Sequence, residues 1–147
     1  MNLYLVRGLP GSAKTTIAQS FKCLHLEMDM MFMKNAEYAF DPEMIQDVVK
    51  QCQSMCKNAL EFGMDVVVSN TFTRIWEMQY YLDLAVEMGA TLKVFKCTGD
   101  FGNTHELPEH ALKAMADRWE DYDGEHLVSP DTHDEIYNRK EAEIFRW

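Results

Sequence analysis

The sequence predicts an α/β protein with a doubly wound, mostly parallel sheet of four to five strands. Two observations carry this. Short apolar runs of strand length alternate with helix-length segments along the whole chain. The first run, Leu3-Tyr4-Leu5-Val6, also leads directly into a glycine-bearing turn and a helix start. A strand without polar alternation suits a parallel sheet covered on both faces.

The elements follow in order. A first strand covers about residues 2 to 7, and a short helix begins at Lys14, with Ile17, Ala18 and Phe21 on one side. A second extended piece runs near Cys23 to Met28. A longer helix spans about Pro42 to Phe62. Its apolar stripe is Ile45, Val48, Val49, Cys52, Met55, Cys56, Ala59 and Leu60, and Gly63 closes it. Asp65 to Ser69 is a β-branched run, hence a buried strand. A helix from about Ile75 to Glu87 ends at Gly89, and Thr91 to Cys97 alternates as a strand nearer the edge. Pro108 suits the first turn of a helix reaching about Trp119, and a last helix is expected from Asp134 to Phe145.

The 147 residues suit one domain, 1–147, with no repeat or linker. No apolar run approaches a membrane span, and Arg7 and Gly8 interrupt the first one. The expectation is a cytosolic protein with no membrane partner. Cys23, Cys52, Cys56 and Cys97 read as free thiols, since no CxxC pair exists and no histidine stands at metal spacing from Cys52 or Cys56. The net charge of −10 is uneven. Residues 1–26 hold Arg7, Lys14 and Lys22 with no acid, which makes the loop end locally positive. Residues 117–135 hold eight acids against Arg118 alone and read as solvated. Such an acidic chain is not a general nucleic-acid coater.

The turn after the first strand reads Gly8-Leu9-Pro10-Gly11-Ser12-Ala13-Lys14-Thr15. A phosphate-binding loop wants Gly, four free residues, then Gly-Lys-Ser/Thr. Only Ala13, in place of the second glycine, departs from it. Such a loop wraps backbone N–H groups around the phosphates of a nucleoside triphosphate. Gly8, Pro10, Gly11, Ser12, Ala13, Lys14, Thr15 and Thr16 are therefore the candidate ATP-binding residues. Lys14 would reach the β- and γ-oxygens, and the Thr15 hydroxyl would ligate Mg2+. The alternative is an ordinary turn that happens to carry a lysine. The P-loop NTPase or kinase fold is the expectation.

Further candidates lie at the carboxyl ends of later strands, where such sheets bind ligands. Asp29 follows the second strand and can take the proton of an attacking hydroxyl; its alternative is a turn or cap aspartate. After the third strand stand Ser69 and Asn70 instead of the Walker-B aspartate of hydrolytic motors. Asn70 and Thr71 are candidates to hydrogen-bond Asp29 or the acceptor, against a plain turn role, and Arg74 is a candidate for substrate phosphate. Arg118 has no acidic partner four residues away and is the candidate for closing over the phosphates as charge develops. His105 and His110 read as loop and helix-start residues, and Met28, Met30, Met31 and Met33 as core or lining.

Several blocks recur together: Leu-Pro-Gly-Ser-x-Lys-Thr-Thr at 9–16, Met-Asp-Met-Met-Phe at 28–32, Val-Val-Val-Ser-Asn-Thr-Phe-Thr at 66–73, Asn-x-His-x-x-Pro at 103–108 and Met-x-x-Arg at 115–118. The set resembles the polynucleotide-kinase-like P-loop proteins of phages and animal cells. That resemblance implies Asp29 as general base and Arg118 as a lid arginine on ATP. Phe32 stands where characterised members carry an arginine for the acceptor's 3′-phosphate. The expected activity is transfer of the γ-phosphate of ATP to a hydroxyl, that of a polynucleotide 5′ end first. Rival acceptors are a nucleotide, nucleoside, nucleotide sugar or modified DNA base, and a rival of another kind is an ATP-binding module without transfer.

Overall fold

The computed structural model describes residues 1–28, 33–34, 37–38, 42–100 and 108–130. The strands are β1 (Asn2–Arg7), β2 (Leu24–Glu27), β3 (Met33–Lys34), β4 (Glu37–Tyr38), β5 (Val66–Asn70), β6 (Thr91–Cys97) and β7 (His126–Val128). The helices are α1 (Lys14–Gln19), α2 (Ile45–Glu61), α3 (Ile75–Met88) and α4 (Glu109–Asp117), with a 3-10 turn at Pro42–Met44 before α2. The expected last helix and Asp29 lie outside the described residues.

Five strands form one parallel sheet in the order β2-β5-β1-β6-β7, and β3 and β4 form a separate antiparallel ribbon. β1 is central: Leu3 lies opposite Val66 of β5 on one side and Leu92 of β6 on the other. The predicted β6 strand stands one place in from the edge, because β7 pairs along it with Phe95 opposite His126. The ribbon and β7 were not anticipated. A three-residue strand has no period of its own, and its pairing with β6 decides it.

The sheet buries both faces. Tyr4, Val6 and Val67 meet Ile17, Ala18 and Phe21 around α1, whereas Leu3, Leu5, Val66 and Val68 meet the buried faces of α2 and α3. Phe21 stacks on Tyr4 with ring centroids 4.6 Å apart and tilts against Phe95 at 5.2 Å. Burying one such ring contributes about 1.5–3 kcal/mol. The predicted α2 stripe is narrower than expected: Val48, Cys52, Cys56, Ala59 and Leu60 are buried, while Ile45 and Met55 face outward. α3 ends as anticipated, with Gly89 at φ 66° and its N–H on the last turn.

No helix among the described residues is long and apolar enough to cross a membrane. The expectation of a wholly solvated acidic stretch is corrected. Glu125 forms an ion pair with Arg7 at 3.1 Å, their side chains 7 % and 0 % exposed, and β7 follows at once. An acid run that supplies the partner of a buried arginine must fold against the sheet.

Candidate active site

The site grows from the end of β1. Gly8 has no room for a side chain: a Cβ there would collide with Ser12 Oγ and stand 3.0 Å from Cys97 Cβ. The loop therefore folds back tightly over the end of β6. Gly11 at φ 84° and Ala13 at φ 70° are both left-handed, on either side of Ser12, and the Ser12 N–H donates to Leu9 O at 3.1 Å. Left-handed residues in such a loop curl the backbone into the concave nests of amides that hold anions. Ala13 caps α1, its carbonyl taking the Ile17 N–H at 3.1 Å, and pays the steric penalty that glycine escapes.

Ser12 is 2 % exposed, and its hydroxyl has no hydrogen-bond partner among the described residues. A buried hydroxyl left this way costs about 1–3 kcal/mol, which a phosphate oxygen would relieve. Lys14 folds back across the loop, with Nζ 3.2 Å from Leu9 O.

Thr15 points to the end of β2. Its hydroxyl lies 3.1 and 3.2 Å from the two carboxylate oxygens of Glu27, which is 8 % exposed. Strand alternation explains this: Leu26 belongs to the α2–α3 face, so His25 and Glu27 fall on the α1 face. The hydroxyl and the carboxylate are hard oxygen donors, the kind Mg2+ takes when substrate phosphates and water complete its shell. A preformed cage is not needed, and no group of three metal-ligating side chains occurs among the described residues. Glu27 was missed from sequence because one acid at a strand end looks like a solvated boundary. The alternation of His25 and Glu27 with Leu24 and Leu26 was the available signal. Beside it, His25 Nε2 and Ser69 Oγ are 2.6 Å apart, and burial pushes the His25 pKa below its usual 6.5.

The loop after β5 is the second wall. Gly8 N–H donates to Thr71 O at 3.3 Å, joining this loop to the phosphate loop. Asn70 accepts the Met28 N–H at 3.1 Å, extending the β2–β5 ladder by one side chain. It thus secures the residue before Asp29. Phe72 is buried at φ 45°, and its carbonyl takes Arg7 Nε at 3.0 Å and Nη2 at 2.6 Å. Arg7 Nη2 also donates to Glu120 O at 2.7 Å, and the guanidinium lies 4.1 Å from the Trp119 ring centre. The positive end expected of Arg7 is thereby corrected: its charge is buried and committed to Glu125.

Arg74 is exposed and sits 3.7 Å from Glu120, a loose surface pair. Arg118 follows α4 and donates from Nε to Thr73 Oγ1 at 3.0 Å. The structure thus brings Gly8 to Thr16, Asn70, Thr71 and Arg118 to one end of the sheet, around two linked loops. Helix α4 buries none of its residues.

Residues 3–101 match the family described as an AAA domain. The human NEDD4-binding protein 2 is 32% identical over 89 residues, which are 56% of this chain and 5% of that protein. The chain thus corresponds to a small part of that relative's length. Among solved structures, the APS kinase CysC of Mycobacterium tuberculosis superposes with a TM-score of 0.63 at 14% identity, covering 94% of this chain and 92% of that one. The same kinase is also known in complex with AMPPNP and APS. A Pnkp1/Rnl/Hen1 complex matches with a TM-score of 0.54 at 19% identity, over 77% of this chain and 38% of that one. These likenesses agree on a five-stranded parallel α/β sheet with flanking helices, the fold of P-loop kinases.

Proposed function

Because the chain belongs to the AAA domain family, we propose that it is an ATP-dependent phosphotransferase acting on a hydroxyl, the 5′-OH of a polynucleotide end first. One observation carries the reading. Among the described residues, the Ser12 hydroxyl of the loop Gly8–Thr15 is buried without a partner, beside left-handed Gly11 and Ala13. That supports a cradle for an anion, and Lys14 and Thr15 follow it with the cation and hydroxyl that a phosphate-binding loop uses.

In this reading the loop amides, Ser12 and Lys14 hold the β- and γ-phosphates. Thr15 and Glu27 would hold Mg2+, which would neutralise phosphate charge. Glu27 would supply from β2 the acid that Ser69 and Asn70 do not supply at the end of β5. Asp29 takes the proton of the attacking hydroxyl, and Arg118 meets the charge on the transferring group. Asn70 steadies the segment that carries Asp29 through the Met28 amide. Thr71 and Arg74 would meet the acceptor.

The polynucleotide acceptor is supported by the sequence blocks described above and by the likeness to the Pnkp1-containing complex. A small acceptor is favoured by one observation, the net charge of −10, which repels a polyanion. Incubation with radiolabelled ATP, Mg2+ and 5′-OH DNA or RNA oligonucleotides, beside a panel of nucleosides, nucleotides and sugars, separates the two. Label on the oligonucleotide end is expected. Label on a small acceptor alone would transfer the assignment to that class. ATP binding without label on any acceptor would leave a binding module, and full transfer by Asp29→Ala would remove Asp29 as the base.

A further inference from the structure

Thr73 is 0% exposed and polar, and its hydroxyl stands between two charged side chains. Arg118 Nε is 3.0 Å from Thr73 Oγ1, and Thr73 Oγ1 is 2.9 Å from Glu77 Oε2. The direction of this chain is fixed by chemistry. A guanidinium can only donate and a carboxylate only accept, so the threonine proton goes to Glu77 while its lone pair receives Arg118. Glu77 is itself fixed, since Oε2 also accepts the Arg74 N–H at 2.8 Å.

Thr73 is held equally firmly by its backbone. Its carbonyl accepts the Glu120 N–H at 2.8 Å and lies 3.4 Å from Arg7 Nη2. Two residues earlier, Thr71 O takes the Gly8 N–H of the phosphate loop. Arg118 is thus seated on the same support as that loop.

The contrast with Arg7 is informative. Arg7 uses Nε, Nη1 and Nη2 on protein partners, as a structural arginine does. Arg118 is gripped by Nε alone, and among the described residues its Nη1 and Nη2 have no protein partner and no acid pairs with it. An inner nitrogen held by a buried hydroxyl leaves the outer two donors as an oriented fork, the geometry that matches phosphate oxygens.

We propose that Thr73 is a positioning residue that pre-sets the Arg118 guanidinium for the transferring phosphoryl group. This rests on the phosphotransfer reading above. Preorganised donors act on the transition state more than on the bound substrate. Calorimetry of the purified chain tests this without an acceptor, by comparing Mg2+–ADP with aluminium fluoride, a mimic of the transferring group, against Mg2+–AMPPNP. Thr73→Val is expected to weaken the fluoroaluminate complex by about ten- to a hundredfold and to leave AMPPNP binding little changed. Thr73→Ser, which keeps the hydroxyl, restores binding. In an Arg118→Ala background, Thr73→Val adds nothing further.

Equal losses for both ligands, or losses that multiply in the double variant, would overturn the role of Thr73. A Thr73→Val chain that melts early would not hide this, because Thr73→Ser must still restore the selective binding. If Arg118→Ala loses fluoroaluminate affinity and Thr73→Val does not, Thr73 alone is excluded. If wild type gains no affinity on adding aluminium fluoride, the phosphotransfer reading itself falls, and with it the role of Thr73.

Discussion

Ala13 is the position at which a single methyl group can be weighed. It sits at φ 70° and ψ 32° at the start of α1, where the structural pattern of the loop calls for glycine. A left-handed L-residue costs roughly 1–2 kcal/mol. Ala13→Gly removes that strain but gives the unfolded chain more freedom, worth about 0.4–1 kcal/mol in the opposite sense. The net expectation is a gain of about 0.5–1 kcal/mol. For 147 residues the unfolding entropy is about 0.3 kcal/mol per degree, so Tm should rise by roughly 2–3 °C. Ala13→Val should do the reverse, because a β-branched residue tolerates this region still less. Thermal and urea unfolding followed by circular dichroism read both, and ATP affinity should rise with Ala13→Gly as the methyl leaves the anion cradle. A Tm that falls on Ala13→Gly, or a valine variant as stable as wild type, would refute the strain argument.

Three other outcomes follow from the site. Glu27→Gln keeps the shape of the Thr15 contact but removes its charge. It should raise the Mg2+ concentration needed for ATP binding while leaving the fold intact; an unchanged Mg2+ titration would exclude Glu27 from the metal's surroundings. His25 is held below 6.5 by burial, so the unfolded chain binds more protons than the folded one in acid. Stability should be flat above about pH 6.5 and decline below it, and His25→Asn should flatten that decline in urea titrations at pH 7.5 and 5.5. Cys56 and Cys97 are pushed up to about 12 by burial, with Lys14 pulling the Cys97 thiol slightly down. Both should resist iodoacetamide at pH 8 in the native protein and react in denaturant; rapid native labelling of either would contradict the buried placement.

The parts legible in the sequence are those written locally. The phosphate loop is a contiguous pattern, β5 a β-branched run, and the end of α3 a glycine placed for a left-handed cap. What stayed hidden depends on residues far apart along the chain. Arg7 looked like a loop cation because its partners Glu120 and Glu125 lie more than a hundred residues away. β7 looked like acidic coil because three residues become a strand only against β6. Glu27 needed the register of β2 against β5, and the sidedness it imposes, to become a neighbour of Thr15. Arg118 was singled out by its missing helix partner, yet its partner, Thr73, lies across space on another loop.

The buried guanidinium of Arg7 has one more consequence, for how the molecule opens. It joins the root of the phosphate loop, the turn after β5 and the Glu120–Glu125 strap through Phe72 O, Glu120 O and Glu125. The strap cannot detach from Arg7 without stranding a charge inside the protein, a loss of about 3–5 kcal/mol, and the turn cannot leave without stripping the guanidinium of the carbonyls that take Nε and Nη2. They therefore form one opening unit. In native-state hydrogen exchange the amides of Gly8 and Glu120, 112 residues apart in sequence, should share a single opening free energy, and Glu125→Gln should lower both together.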